Sequence, residues 1–451
     1  MITHASANDA NAIGKPLEAV LDQAVVAATH LIISSNRLKS SARTVLNGIA
    51  RNAVIHRVSD QCIAIELESI VGDSPQIATD NVQRAIDQIK SCSVPDELLR
   101  VLTGAVRAMT GYDRVMAYRF DDEWNGNVVV DERQDEMPSW LGFRYPASDI
   151  PAPARELFSK NWSRIIPTSD FIPVPVLPEA SPESPDALDL TFSTLRAPSP
   201  VHVEYLKNMQ VGGSFTLSLL CNGRLWGMIA CHHRTPLFVN FPSREAAELL
   251  VIAASAQLSS WETRDSQNAE QRMKLLKQWL QAAVDGGDDP TDVLIEKSNL
   301  LIELTESSGV AIIKADELIR LGKCPEESEL RKILEQVKTF CTPVYSIRTI
   351  THLMPSASTA TGSCAGVLAL KVTRRFEDQY ILWFRPELLH EVTWGGDPRK
   401  PPEQPDGPRK SFAAWKELIR HTSSPWAKPT IDFAEQLGVA ITEAERASRP
   451  L

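Results

Sequence analysis

The apolar positions of this 451-residue chain change period several times, and each change marks an element. Ser214, Thr216 and Ser218 alternate with Phe215, Leu217 and Leu219, the period-two pattern of a strand with one apolar face. Asn222-Gly223 then signals a hairpin, and a second strand is predicted over 225–232. Just upstream the period is helical. His202, Tyr205 and Met209 fall on one face of a helix that Ser199 can cap and Pro200 can open. A helix with a His and a Tyr therefore leads into a hairpin with small hydroxyls and two more histidines. Register decides which histidine joins them. A plain two-residue turn pairs Cys221 with Arg224 and brings His233 to the Ser214/Thr216 face, whereas a one-residue bulge at Gly223 brings His232.

The same reading extends along the chain. It predicts a helix over 17–33, strands at 56–57 and 63–67, and an amphipathic helix over 82–109 with Ile86, Ile89, Leu98, Leu99 and Val106 inward. A strand over 111–120 carries Tyr118 near its end, and 128–130 is a short strand. Residues 148–151 form a turn feeding a helix, where Asp149 is a capping carboxylate on physical grounds alone. Pro173, Pro175, Pro178, Pro182 and Pro185 make 171–189 a loop. Residues 243–285 contain neither Gly nor Pro and predict one helix of roughly 64 Å, long enough to join two domains and to pair with a second copy. Beyond it, helices over 292–306 and 325–339 alternate with strands at 310–313, 366–372 and 380–384. Residues 385–415, with Gly395-Gly396 and prolines at 398, 401, 402, 405 and 408, read as a long exposed loop. A helix over 430–447 follows. The fold class is α+β: antiparallel-sheet domains joined by a long helix.

Composition narrows the function. Lys+Arg number 47 and Asp+Glu 57, a net charge of −10 with no basic run, which argues against non-specific nucleic-acid binding. No signal peptide and no bilayer-length apolar run is visible, so a cytoplasmic protein away from membranes is expected. Seven cysteines without metal-ligand spacing suggest reduced thiols. Neighbours on a strand face opposite ways, so His232 and His233 do not share a metal, and no Gly-rich ATP motif or enzymatic constellation is present.

The segments "GYDRVMAYRF", "RYPASDIPAPARELF", "SPVHVEYLKNM" and "LWGMIACHH" occur in that order and resemble the chromophore-binding GAF domain of phytochromes, bacteriophytochromes in particular. "WFRPE", "VTWGG" and "GPRKSF" resemble the tongue of the phytochrome PHY domain. The resemblance implies a truncated PAS-like domain over 1–75, a GAF domain over 76–260, the connecting helix over 243–285, a PHY domain over 286–432 with its tongue at 385–415, and a C-terminal helix over 433–451. It implies a red/far-red photoreceptor that holds a linear tetrapyrrole and signals by bilin isomerisation and tongue rearrangement.

The site residues follow from the same resemblance. Tyr118, Trp140 and Tyr145 would stand around the outer rings, and Ile150 and Pro151 would pack on the tetrapyrrole. Asp149 would approach the pyrrole nitrogens through its carbonyl and pair through its carboxylate with Arg409 of the tongue. His202, Tyr205, Ser199 and His232 would complete the pocket, with His232 on the outer ring carbonyl, which selects the bulged register. Arg164, Arg196, Ser214 and Thr216 would receive the propionates, two of them as guanidinium forks suited to carboxylates. Phe158 stands where many relatives carry a tyrosine. Ser411 and Phe412 are expected in a helical tongue, with Trp415 one turn along.

Two departures matter. Relatives attach the bilin through a cysteine in an N-terminal arm or one just before the pocket histidine. Here the first cysteine is Cys62, in a predicted strand, and the second position is Val201. A biliverdin-like ligand is therefore expected to be non-covalent or absent. The knot-threading arm is expected to be missing and its partner loop, 171–189, mobile. The one His-Glu pair, His390-Glu391, lies in the tongue and not on a kinase dimerisation helix, so a homodimer through the long helices with a separate histidine kinase or response regulator is expected. The rival expectation is a chromophore-less regulator acting as a redox or protein-interaction module.

Overall fold

The computed structural model describes residues 2, 5–35, 37–60, 62–70, 79–178, 188–314, 317–352, 364–373, 378–388, 390–397 and 407–447. They divide into two units, Met1–Trp261 with Thr393–Trp415, and Glu262–Val392 with Lys416–Leu451.

In the first unit the alternating segments form one antiparallel sheet, in the order Ser163–Ile166, Gly213–Cys221, Arg224–His233, Arg114–Phe120, Gly126–Arg133 and Phe143–Tyr145. Thr393 and Trp394 of the strand His390–Gly395 join its edge in parallel, opposite Phe143 and Arg144. Period two gives the sheet two different faces. Phe215, Leu217, Leu219, Ile229 and Cys231 pack on Leu98, Leu99, Leu102 and Val106 and on Leu250, Val251, Ala254 and Leu258 of the long helix. Full burial of such side chains stabilises by about 1.5–3 kcal/mol each. The other face gathers Met116, Tyr118, Val128, Tyr145, Leu225 and Met228, flanked by Trp140, Ile150, Phe158 and Phe412.

The helix expected over 82–109 is two, Thr79–Ser91 and Pro95–Thr110. Pro95 has no N–H to give to a preceding turn, and Val94 before it is extended. At the N-terminus Gln23–Ser34 packs Val25 and Ile32 on Ala53 and Ile55 of a sheet ordered Lys39–Leu46, Ile49–Arg57, Ile63–Ser69. The first of these strands was missed, although Asn47-Gly48 announces its hairpin. Cys62 lies outside the predicted strand, in a turn where its carbonyl accepts the Val58 N–H at 2.9 Å. The loop expected to be mobile is corrected at 176–177, where Ala5–Ser6 pairs antiparallel with Val176–Leu177. Pro182 and Pro185 lie outside the described residues.

The long helix runs continuously over Phe241–Gly286, 46 residues. In the second unit a five-stranded sheet is ordered Glu317–Gly322, Gly309–Lys314, Asp378–Arg385, Gly366–Thr373, Val344–Ile347. Met273, Leu276 and Leu280 of the long helix and Phe433, Leu437 and Ile441 of the helix Lys428–Ala447 cover one face. Leu330, Ile333 and Leu334 of Glu327–Val337 cover the other. The helix expected over 292–306 breaks at Lys297 into Pro290–Glu296 and Ser298–Leu304.

The helical tongue is corrected too. Ser411 and Phe412 are irregular, and Trp415 lies in the strand Ala414–Ile419. The Gly396 N–H donates to the Ala413 carbonyl at 2.9 Å, a cross-chain bond that extended backbone makes and a helix does not. The prolines at 398, 401, 402 and 405 fall outside the described residues.

Candidate functional site

The hairpin between Gly213–Cys221 and Arg224–His233 sets the site. Asn222 and Gly223 both have positive φ, 49° and 76°, and pair Cys221 with Arg224 in a plain two-residue turn. The bulge expected at Gly223 is therefore displaced. It lies one step down the ladder, where Leu219 pairs with Gly227 and Leu220 with Leu225, leaving Trp226 as the extra residue. Two left-handed turn residues close the hairpin without slack, so the slip falls on Trp226, whose ring receives the Arg119 guanidinium at 5.0 Å. The consequence for side chains is the one expected. His232 stands opposite Ser214, and Thr216 stands opposite both Ala230 and Arg164. His233 is occupied elsewhere, with Nδ1 at 2.8 Å from the Thr235 carbonyl and Nε2 at 3.6 Å from Asp113.

The helix Pro200–Asn208 brings His202 and Tyr205 to the same region, their rings stacked at 6.1 Å. Ser199 occupies the N-cap position but its side chain makes no cap bond, and it is exposed, as is Pro151. Asp149 does not cap the helix Ala152–Lys160 either, since Pro151 holds that position. Its carboxylate accepts instead from the Tyr205 hydroxyl at 3.3 Å and faces Arg409 Nη2 at 3.3 Å. Arg409 is fixed at both ends: Nη1 donates to the Gly395 carbonyl at 2.9 Å, and its own carbonyl accepts from Asn208 Nδ2 at 3.0 Å. Phe412 meets the Tyr205 ring edge-on at 5.0 Å. Ser411 is exposed and turns to the Ala413 N–H at 3.5 Å.

At the other end Trp140 lies between the Arg114 guanidinium, 3.7 Å from its centroid, and the His232 ring at 6.1 Å. Asp131 faces Arg114 Nε at 3.3 Å and accepts the Trp140 N–H at 2.8 Å. Tyr118 and Tyr145 lie 6.0 Å apart, with Ile150 and Phe158 packed on their cluster. Arg164 donates to the carbonyls of Thr194 (2.7 Å) and Arg196 (2.6 Å), and Arg196 to those of Thr191 (2.9 Å) and Ser193 (2.8 Å).

Electrostatics fix the protonation states of these groups. His202 keeps solvent-accessible surface, yet enclosure by protein, with Arg164 adding to it, pushes its pKa down to about 4. Burial, then Arg114 and His202, take His232 down to about 3, so both imidazoles are neutral at pH 7. Burial raises Asp149 to about 6 against the pull of Arg409, and it holds the hydroxyls of Tyr118, Tyr145 and Tyr205 as phenols. His232 Nδ1 and the Tyr145 hydroxyl are buried with no hydrogen-bond partner, a costly state that a bound polar group relieves. An aromatic wall, neutral donors and an arginine pair suit a large, flat, mainly apolar ligand with acidic substituents.

Sequence reasoning missed Arg114, Asp131 and Asn208. Arg114 was within reach, since Arg114, Met116 and Tyr118 alternate inside a segment already singled out. Cys231 is buried on the helix-packed face, its thiol pushed up by desolvation, and Val201 is exposed. Among the described residues no three His, Cys, Asp or Glu side chains are grouped to hold a metal, and no helix is long and apolar enough to cross a membrane.

Comparison with known proteins agrees. A GAF domain model matches residues 94–260 and a phytochrome region model matches 273–449. The photosensory core module of the Stigmatella aurantiaca phytochrome is 31% identical, with a TM-score of 0.78 over 100% of this chain and 93% of that one. The chain belongs to the phytochrome family. A bacteriophytochrome of R. palustris has the same TM-score at 29% identity, covering 100% of this phytochrome and 94% of its own chain. Cyanobacterial phytochrome B of Nostoc is 32% identical over 98% of this chain and 62% of its own length. For the Pseudomonas aeruginosa bacteriophytochrome the figures are 34%, 84% and 53%. This phytochrome thus spans about half to three-fifths of those curated relatives, the part that corresponds to a photosensory module. The GAF match contains Asp149, His202, Tyr205 and His232, and the phytochrome-region match contains Arg409.

Proposed function

We propose that this chain is a red/far-red photosensory module that holds a linear tetrapyrrole of the biliverdin type, without a covalent bond, against the sheet face of Tyr118, Tyr145 and His232. The observation that carries the reading is the pair of buried, partnerless groups, His232 Nδ1 and the Tyr145 hydroxyl, beside a neutral His202 on an accessible wall. A chromophore-less regulator would need water or another polar group to satisfy them. When bound, the bilin would supply the double bond that isomerises in red light. The protein's own part is to bind and to report. Trp140, Tyr118, Tyr145, Ile150, Pro151 and Phe158 exclude water from the rings. His202 and His232 offer neutral nitrogens, while Ser199, Ser214, Thr216, Arg164 and Arg196 meet the acidic edge.

Asp149 and Arg409 form the contact that changes with the ligand, because a buried ion pair responds strongly to a new neighbour. A change there reaches Gly395 and the tongue through Arg409, and the long helix passes it on. Leu249 and Ile252, exposed on that helix, would pair two copies in a dimer. A histidine kinase or response regulator would read the state in the cytoplasm. The domain division proposed is a small PAS-like sheet, the GAF sheet and the PHY unit.

The test is an absorption spectrum of purified protein incubated with biliverdin, before and after red light. A new red band with a reversible light-induced difference, and pigment released free on denaturation, is the expected result. A folded protein that gives no band sinks the proposal.

A further inference from the structure

We infer that Glu66, on the small N-terminal sheet, is a positioning residue for the acidic edge of the ligand site; the inference rests on the tetrapyrrole reading above. Its carboxylate accepts two successive backbone N–H groups, Thr194 through Oε2 at 2.8 Å and Leu195 through Oε1 at 2.6 Å. The carbonyl of that same Thr194 receives Arg164 Nη1 at 2.7 Å, and the Arg196 carbonyl receives Nη2 at 2.6 Å. Arg196 in turn holds the carbonyls of Thr191 and Ser193. The Ser193 hydroxyl lies 3.3 Å from His56 Nε2, on the strand beside Glu66. A segment from Thr191 to Arg196 is therefore pinned from one side by the small sheet and from the other by both arginines.

Arg164 stands opposite Thr216 in the central sheet and acts electrostatically on His202. The Thr194 carbonyl that aims one arm of its fork shares a peptide unit with the Leu195 N–H that Glu66 holds. Charge-assisted bonds to two adjacent amides are short and directional, so the loop takes one pose and the arginines inherit it. The small sheet thereby contributes to binding from a distance, and Glu66 needs no contact with the ligand to do so.

The experiment compares biliverdin with its dimethyl ester, which lacks the charged propionates, on the full chain and on Glu66→Ala. For the acid, Kd should rise about tenfold in Glu66→Ala, the equivalent of losing one charge-assisted bond. For the ester it should stay within about twofold, because its affinity does not use the arginines. Equal weakening of both ligands, or none of either, overturns the inference, since a merely structural role does not distinguish acid from ester. If the wild-type chain binds neither ligand, the tetrapyrrole reading fails first and takes this one with it. Should Glu66→Ala not fold, Glu66→Gln keeps the volume and one acceptor oxygen while losing the charge. A smaller loss confined to the acid supports the inference, and an equal or absent loss overturns it.

Discussion

Asp149 keeps its proton to a higher pH than an exposed aspartate does. Burial raises its pKa to about 6 from an ordinary 3.8, and Arg409 and the Tyr205 hydroxyl only partly offset it. A raised carboxyl pKa means that the folded state binds the proton more tightly than the unfolded one. The stability this contributes is fully present below about pH 3.8 and is lost as pH rises through about 6. Arg409 is the charge that limits the shift. Replacing it, Arg409→Ala, should move the Asp149 titration up by about one unit or more. The protonated-carboxyl band followed by infrared across pH 4–9 reads this directly, and an unmoved midpoint would show that Asp149 and Arg409 are not coupled.

At the scale of elements, the tongue is anchored by a close approach. A Cβ on Gly395 would lie 2.4 Å from the Tyr145 ring, and the carbonyl of the same residue holds Arg409. Gly395→Ala should therefore lift the tongue from the sheet. The expected result is about tenfold faster proteolysis between 390 and 415, with the unfolding midpoint of the central sheet little changed; unchanged proteolysis would mean that the contact is not limiting.

Much of this architecture was legible. The hairpin and the long helix follow from apolar period and from Gly and Pro placement, which are local, whereas the choice of His232 over His233 came from the family resemblance. What was not legible is non-local. The bulge fell on Trp226 because the turn itself is closed by Asn222 and Gly223, a matter of register along two strands. The tongue is extended because a partner carbonyl at Ala413 is at hand, while local propensity around Ser411 allowed a helix. Glu66 reads in the sequence as one polar position in an alternating strand, and nothing local tells of two amides 128 and 129 residues away.

Across the whole molecule, one helix serves two separate apolar clusters. Leu250, Val251, Ala254 and Leu258 belong to the first, and Met273, Leu276, Leu280 and Val284 to the second. Residues 263–271 between them are exposed on every side, so this stretch is helical by propensity and by continuity with its packed ends. Ala269→Pro should cost the helix about 3 kcal/mol or more and speed amide exchange over 263–272. Calorimetry should still give the unfolding of both units, and unchanged exchange over 263–272 would overturn this reading of the stretch.

The bond between Asn208 and the Arg409 carbonyl spans 201 residues of chain. A ribosome adding about 5–20 residues each second needs roughly 10–40 s to cover that distance. During that interval the nascent polypeptide already carries the aromatic wall and both pocket histidines, while the segment that will hold Asp149 has not been translated. The Asp149 contact with Arg409 therefore forms late, after the rest of the first unit outside the tongue has been synthesised.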